Sequence, residues 1–258
     1  MQEAPIMQWL ASRLSGFAIE ATDGSIGSIT DSLFDDHSWV VRWLVVDTGS
    51  WLPGRQVILP PVALGHPDAS GERVPAKLTR KQVEESPGVG FDAPVSRQKE
   101  IDWYRYWGGT PYWSGGIGTP APGLAGLPPR SALDPSLARQ IGGQVARGDP
   151  RLRSTGEVIG YAIHASDGDI GHVADFVIDD EDWIIRYVIV DTGSWWSGKK
   201  VLVAPEWIDD IDWPAEKVSV RVDQAAIKSS PGWHGSEAPG REYERRLHQH
   251  YGYTGYWL

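Results

Sequence analysis

The residues with the clearest chemical potential are two copies of one acidic turn. Val45-Val46-Asp47-Thr48-Gly49-Ser50 and Ile189-Val190-Asp191-Thr192-Gly193-Ser194 each set a carboxylate before a small, hydroxyl-bearing loop. Two aspartates that share a proton can activate water for hydrolysis, each half of the chain supplying one carboxylate.

The motifs resemble those of aspartic proteases, and that resemblance implies an apolar-apolar-Gly segment crossing beneath each aspartate loop. The downstream stretches read SPGVGFD and SPGWHGSE instead, and YGYTG at 251–255 lies where no further sheet follows. The resemblance is thus confined to the motif. The expectation is that Asp47 and Asp191 accept backbone N–H groups within their own tight turns.

Other reactive constellations are weaker. Asp35-Asp36 and Asp179-Asp180-Glu181-Asp182 offer oxygen ligands but lack the spaced ligands and central glycine of a calcium loop, so they read as solvated hairpin tips. His248 and His250 stand two apart in a segment that reads as helix, where such residues do not share a face, and their counterparts in the other half are Tyr104 and Tyr106. This speaks against a metal site. No histidine recurs beside the turn serines to form a hydrolytic triad, and no glycine-rich nucleotide fingerprint follows a strand. The reading is therefore of a chain that is not an enzyme, with no cofactor or metal, and with a small-molecule ligand left open. Arg42 and Arg186 sit in the middle of apolar runs, where an unpaired guanidinium would cost several kcal/mol. They are expected to form buried ion pairs, Arg42 with Asp31 or Asp47 and Arg186 with Asp175 or Asp191; the alternative is an anion or partner contact.

What positions these residues is a duplication. Residues 16–51 align without a gap on 160–195 at an offset of 144, with 19 identities in 36 positions. The offset persists through Pro87-Gly88 and Pro231-Gly232 to Tyr112-Trp113 and Tyr256-Trp257, so the repeated unit is 16–113 and 160–257. The implied division is 1–113, a Gly/Pro/Ala-rich linker at 114–144, and 145–258. Within each unit Asp23-Gly24 or Asp167-Gly168 opens a hairpin, and Trp39–Val46 or Trp183–Val190 is a strand covered on both faces. Thr79 and Asp223 cap short helices, and a second helix spans 97–107 and 241–251. Many short strands with little helix predict a mainly β chain built on two small antiparallel barrels.

The ordered pattern Asp23-Gly24-x-Ile26-Gly27, Asp31, the Trp39 strand with Arg42, Asp47-Thr48-Gly49-Ser50-Trp51 and Val57-Ile58-Leu59-Pro60, repeated 144 residues later, resembles the PRC-barrel domains. That family includes the cytoplasmic domain of the photosynthetic reaction-centre H subunit and stand-alone bacterial proteins. The resemblance implies two repeated antiparallel PRC-type barrels, each followed by short helices and an aromatic tail. It also implies a protein-binding, scaffolding or assembly role in a bacterial cell. A soluble relative of the H subunit, working beside photosynthetic electron-transfer complexes, is the alternative.

Composition narrows the partners. The 258 residues include no cysteine, which excludes a disulfide scaffold, and a net charge of -10 argues against binding nucleic acid. No apolar run is long enough to span a bilayer and no leader pattern opens the chain, so a cytoplasmic protein without stable membrane insertion is expected. A protein partner or self-association remains. The best surface for it is the pair of aromatic tails: Trp103, Tyr104, Tyr106, Trp107, Tyr112 and Trp113, mirrored in part by Tyr251, Tyr253, Tyr256 and Trp257. Rings of this size can complete a core or form an interface.

Overall fold

The computed structural model describes residues 7–88, 97–108, 151–193, 198–235 and 238–257. The linker at 114–144, with Tyr112 and Trp113 of the first tail, lies outside the described residues. Residues 15–153 form one compact unit, and residues 1–14 together with 154–258 form the other.

The first unit is built on β2 (Ala18–Ala21), β3 (Gly24–Asp35), β4 (Val41–Asp47), β5 (Gln56–Leu59) and β6 (Arg73–Pro75). These are ordered β5-β4-β3-β2-β6 in one sheet. The second repeats that order with β8 (Ala162–Ala165), β9 (Gly168–Asp179), β10 (Ile185–Asp191), β11 (Lys200–Val203) and β13 (Lys217–Val220), and adds β12 (Ile208–Asp212) beyond β13. Each of the five shared strands begins 144 residues after its counterpart.

The expectation of a closed antiparallel barrel needs correction. β6 runs parallel to β2 and β13 parallel to β8, so both sheets are mixed, and among the described residues neither closes on itself by hydrogen bonds. Three successive antiparallel pairings lead from β2 to β5 and leave the returning strand pointing the same way as the first. The second sheet is nevertheless curled. β11 and β12 are its opposite edges, yet the chain between them runs only from Val203 to Ile208, at most about 18 Å of extended backbone. Across a flat sheet, five strand spacings would separate the edges by about 24 Å.

The apolar run of β4 is buried at Val41, Trp43, Leu44, Val45 and Val46, and β10 matches it at Ile185, Tyr187, Val188, Ile189 and Val190, as a strand covered on both faces should be. Both strands start two residues later than their sequence suggests. Trp39 and Trp183 occupy the turn before them with φ of 58° and 55°, an αL geometry that Trp39 holds while stacked on Phe34.

Two further elements depart from the sequence division. Strand β1 (Gln8–Leu10), followed by α1 (Ala11–Leu14), pairs antiparallel with β9, in the unit of the second repeat. Strand β7 (Leu152–Ser154), followed by α4 (Thr155–Val158), leads into the second repeat and pairs with β3 of the first. The repeats have thus exchanged their leading strands. The contiguous units 1–113 and 145–258 differ from the folded ones at their leading ends, because these short segments satisfy their backbone groups on the other repeat's long strand. Among the described residues no helix is long and apolar enough to cross a membrane.

Candidate functional site

The two acidic turns are built by a close backbone approach. A Cβ added at Gly27 would stand 1.9 Å from the Asp47 carbonyl oxygen, and one at Gly171 would stand 2.0 Å from that of Asp191. Glycine is required at both positions, with φ of 152° and 141°. Beyond this contact Asp47 Oδ1 accepts the Gly49 N–H at 2.8 Å, and Asp191 Oδ1 accepts that of Gly193 at 2.8 Å. Thr48 donates its buried hydroxyl to the carbonyls of Leu52 and Arg55, and Thr192 donates to Lys199. Each motif therefore ties its own loop to the start of the next strand, the arrangement expected of aspartates that serve their own turns.

The turn dipeptides and short helices are linked in the same duplicated way. Asp23 accepts the Arg80 N–H at the start of α2 (Arg80–Glu84), and Asp167 accepts that of Gln224 at the start of α5 (Gln224–Ser229). Thr79 forms a full capping box, and Asp223 accepts from Ala226, so both expected caps are in place. At the other end Arg55 donates to the carbonyls of Glu84 and Ser86, and Lys199 does the same for Lys228 and Ser230. Nothing in the sequence marks Arg55 and Lys199 as C-terminal caps, because the contact joins residues about thirty apart and uses only backbone acceptors.

The acidic runs are solvated tips only in part: Glu181 and Asp182 are exposed, but Asp35, Asp179 and Asp180 are buried. Asp35 accepts the backbone N–H and hydroxyl of Ser38, and Asp179 accepts Arg186 at 3.0 Å. The expected Arg186 pairs with Asp175 or Asp191 are therefore replaced by pairs with Asp179 and, at 3.5 Å, Asp182. Arg186 leaves β10 near its start, beside the β9–β10 turn and far along the strand from Asp191. Its counterpart Arg42 donates to the Ser38 hydroxyl at 3.1 Å in the same turn of the first unit.

Asp175 and Asp180 hold the exchanged strand. Asp180 accepts the Met7 N–H at 3.2 Å and the Trp9 indole N–H at 3.1 Å, while Asp175 accepts both the backbone N–H and the hydroxyl of Ser12. In the first unit Asp36, the counterpart of Asp180, takes Arg153 at 3.3 Å. Burial raises the Asp36 carboxyl above its ordinary range, and the Arg153 guanidinium only partly offsets this. Sequence reasoning missed these roles, because the donors lie more than a hundred residues away on segments without repeat identity.

In their described residues the aromatic tails fold onto their own units. In the first, α3 (Arg97–Trp107) buries Trp103 and Trp107, with Trp103 and Tyr104 set edge-on to Trp43 at 5.6 and 4.9 Å. Tyr106 donates its hydroxyl to the Gln82 carbonyl. In the second, α6 (Arg241–Tyr251) ends at Gly252, whose φ of 73° turns the chain back. Tyr253 is 38% exposed, while Tyr251, Tyr256 and Trp257 are half-buried. The Arg186 guanidinium lies 4.2 Å from the Tyr256 ring centre, and Arg241 lies 4.6 Å from that of Trp257.

Beneath this tail is a buried polar network that the sequence did not announce. Glu244 pairs with Arg241 at 2.9 Å and accepts from Gln8 Nε2 and the Tyr256 hydroxyl, both at 2.8 Å. Its counterpart Glu100 is also buried, against the Trp43 indole N–H. His248 lies between Tyr187, 2.9 Å from Nε2, and the Thr254 carbonyl, 3.2 Å from Nδ1. A carbonyl can only accept, so Nδ1 carries the proton and Nε2 receives the Tyr187 hydroxyl. Burial lowers the His248 pKa, with Glu206 pulling the other way, and burial then Glu244 push that of Tyr187 far up. These groups face one another and fasten helix and tail to β10. His250 bonds instead to the Ala226 carbonyl, so the two histidines do not converge. Among the described residues no cluster of His, Asp and Glu could hold a metal ion.

Residues 154–227 match the PRC-barrel domain. No curated protein matches the chain. The PRC-barrel domain so delimited includes Arg186 and Asp191, together with Gly171, whose close approach shapes the turn. Strand β1, helix α6 and the aromatic tail, with Gln8, Glu244 and His248, lie outside the matched residues.

Proposed function

We propose that the chain is a non-enzymatic tandem PRC-barrel protein that binds and scaffolds protein partners. The observation that carries this reading is the PRC-barrel match at 154–227. Extending it to a second domain rests on the first sheet, which repeats the same strand order and the same Gly–Asp turn 144 residues earlier. The duplicated carboxylates, which would be the acid–base pair of a hydrolase, are each engaged by a neighbouring backbone N–H, a role that needs no substrate. The second tail supplies a surface of the right chemistry: Tyr253 is exposed beside the half-buried Tyr251, Tyr256 and Trp257. Aromatic and arginine side chains of this kind are enriched at protein interfaces.

The test is affinity capture with the full chain and with its Tyr253→Ala variant at matched stability. A partner retained by the full chain and lost from the variant supports the reading. Turnover of a peptide substrate at acid pH that disappears in Asp47→Asn would overturn it.

A further inference from the structure

The exchange of leading strands has a chemistry that the duplicated fold does not require. The segment at 7–14 is a ligand for the edge of β9. It supplies a strand in register from Gln8 opposite Asp179 to Leu10 opposite Val177, and it buries Trp9, Leu10, Ala11 and Leu14. Its backbone is held at Met7, whose N–H meets Asp180 Oδ1 and whose carbonyl accepts the Asp180 N–H at 3.1 Å. Two side chains are read as well, the Trp9 indole by Asp180 and the Ser12 hydroxyl by Asp175.

The equivalent edge of β3 binds an unrelated sequence by the same means. There Asp36 donates its N–H to the Arg151 carbonyl at 2.8 Å and accepts the Arg153 guanidinium. Residues 7–10 read MQWL and 151–154 read RLRS, so what the two edges share is an extended backbone and one N–H donor two residues on. That is recognition by strand addition, in which the main chain gives affinity and alternate side chains give selectivity.

We propose that the β9 edge between Asp175 and Asp180 is a strand-docking groove that accepts residues 7–14 of a second copy of this chain, so that copies associate by exchanging this segment. The inference names one partner for the binding protein proposed above and rests on that reading. A second copy presents the same residues and keeps every contact, and only the connection through Ser15 and Gly16 changes. Gly16 is the hinge of that connection: its φ of 97° suits glycine, no atom lies within 4 Å of a Cβ placed there, and the bond from its N–H to the Ile29 carbonyl at 2.7 Å is the contact that exchange must re-form.

Two measurements test this. A labelled peptide spanning Met7–Gly16 is titrated into the chain lacking residues 1–14. Saturable binding is expected, weakened at least tenfold by Trp9→Ala in the peptide or Asp180→Asn in the protein. Should the shortened chain fail to fold, the full chain carrying a protease site inserted after Gly16 is cleaved in the folded state, and exchange of the cut segment for labelled peptide is read instead. No binding by a folded receptor, or no exchange, overturns the groove. Full chains bearing two different tags are then mixed at high concentration and diluted. Co-purification of both tags, lost when both chains carry Trp9→Ala, supports exchange between copies. Peptide binding without mixed species overturns the second copy as partner. Capture of a different protein through Tyr253 would still stand in that case, so the two readings fail separately.

Discussion

Trp9 donates its indole N–H to a carboxylate oxygen of Asp180 at 3.1 Å, across 171 residues of sequence, and both groups are buried. Arg153 and Asp36 repeat the contact on the other sheet at 3.3 Å. One acidic hairpin turn thus anchors, in each unit, a strand that arrives from elsewhere in the chain.

Removing that donor leaves a buried carboxylate oxygen short of a partner. Trp9→Phe keeps most of the ring and loses the N–H, so a loss of about 1–3 kcal/mol is expected. Urea denaturation of the full chain should show a lower midpoint with an unchanged slope. An unshifted midpoint would mean that Asp180 needs no indole.

Gly171→Ala puts a methyl group 2.0 Å from the Asp191 carbonyl oxygen, which neither backbone can accommodate without moving. At Gly193, where φ is 55° and no atom lies within 4 Å, alanine meets only the αL penalty of about 1–2 kcal/mol. The first substitution should lower the midpoint of thermal unfolding clearly more than the second. Equal effects would contradict the close approach.

His248 is neutral in the fold and its pKa is lowered by burial. The unfolded chain takes up a proton near pH 6.5 and the folded one does so only at lower pH. Between those values the unfolded state binds more protons, so stability falls as pH drops below about 6.5 and rises again towards neutrality. His248→Gln should flatten this part of the curve of unfolding midpoint against pH. A slope that survives the substitution would assign the effect to another group.

Asp47→Asn and Asp191→Asn retain a side-chain oxygen able to accept the Gly49 and Gly193 N–H groups. Each is expected to change stability by less than about 0.5 kcal/mol, whereas alanine at either site removes the acceptor and costs about 1 kcal/mol. Chemical denaturation of the four variants distinguishes a turn-capping carboxylate from one whose charge is required, since the latter would make asparagine as harmful as alanine.

Local chemistry made part of this molecule legible in the sequence. The apolar runs of β4 and β10, the Thr79 and Asp223 caps and the helices at 97–107 and 241–251 depend on residues a few positions apart, and the structure has each of them within a residue or two. The duplication was likewise visible, because equal loop lengths impose equal strand order. Gly27 and Gly171 belong to the repeated pattern, but their reason, a carbonyl less than 2.1 Å from where a Cβ would be, is a contact across strands.

Only the tertiary structure decided where the leading segments go and what the acids do. Met7–Leu14 and Leu152–Val158 share no identity, so no alignment of the repeats includes them, and a strand of three residues carries no signal for which edge it will join. The acidic residues at 179–180 look like surface until Arg186, Met7 and Trp9 bring donors to them. Glu244 looks like an exposed helical residue until Arg241, Gln8 and Tyr256 surround it. A carboxylate can be buried only when donors converge on it, and here they converge from separate parts of the chain, which is information that no local stretch of sequence contains.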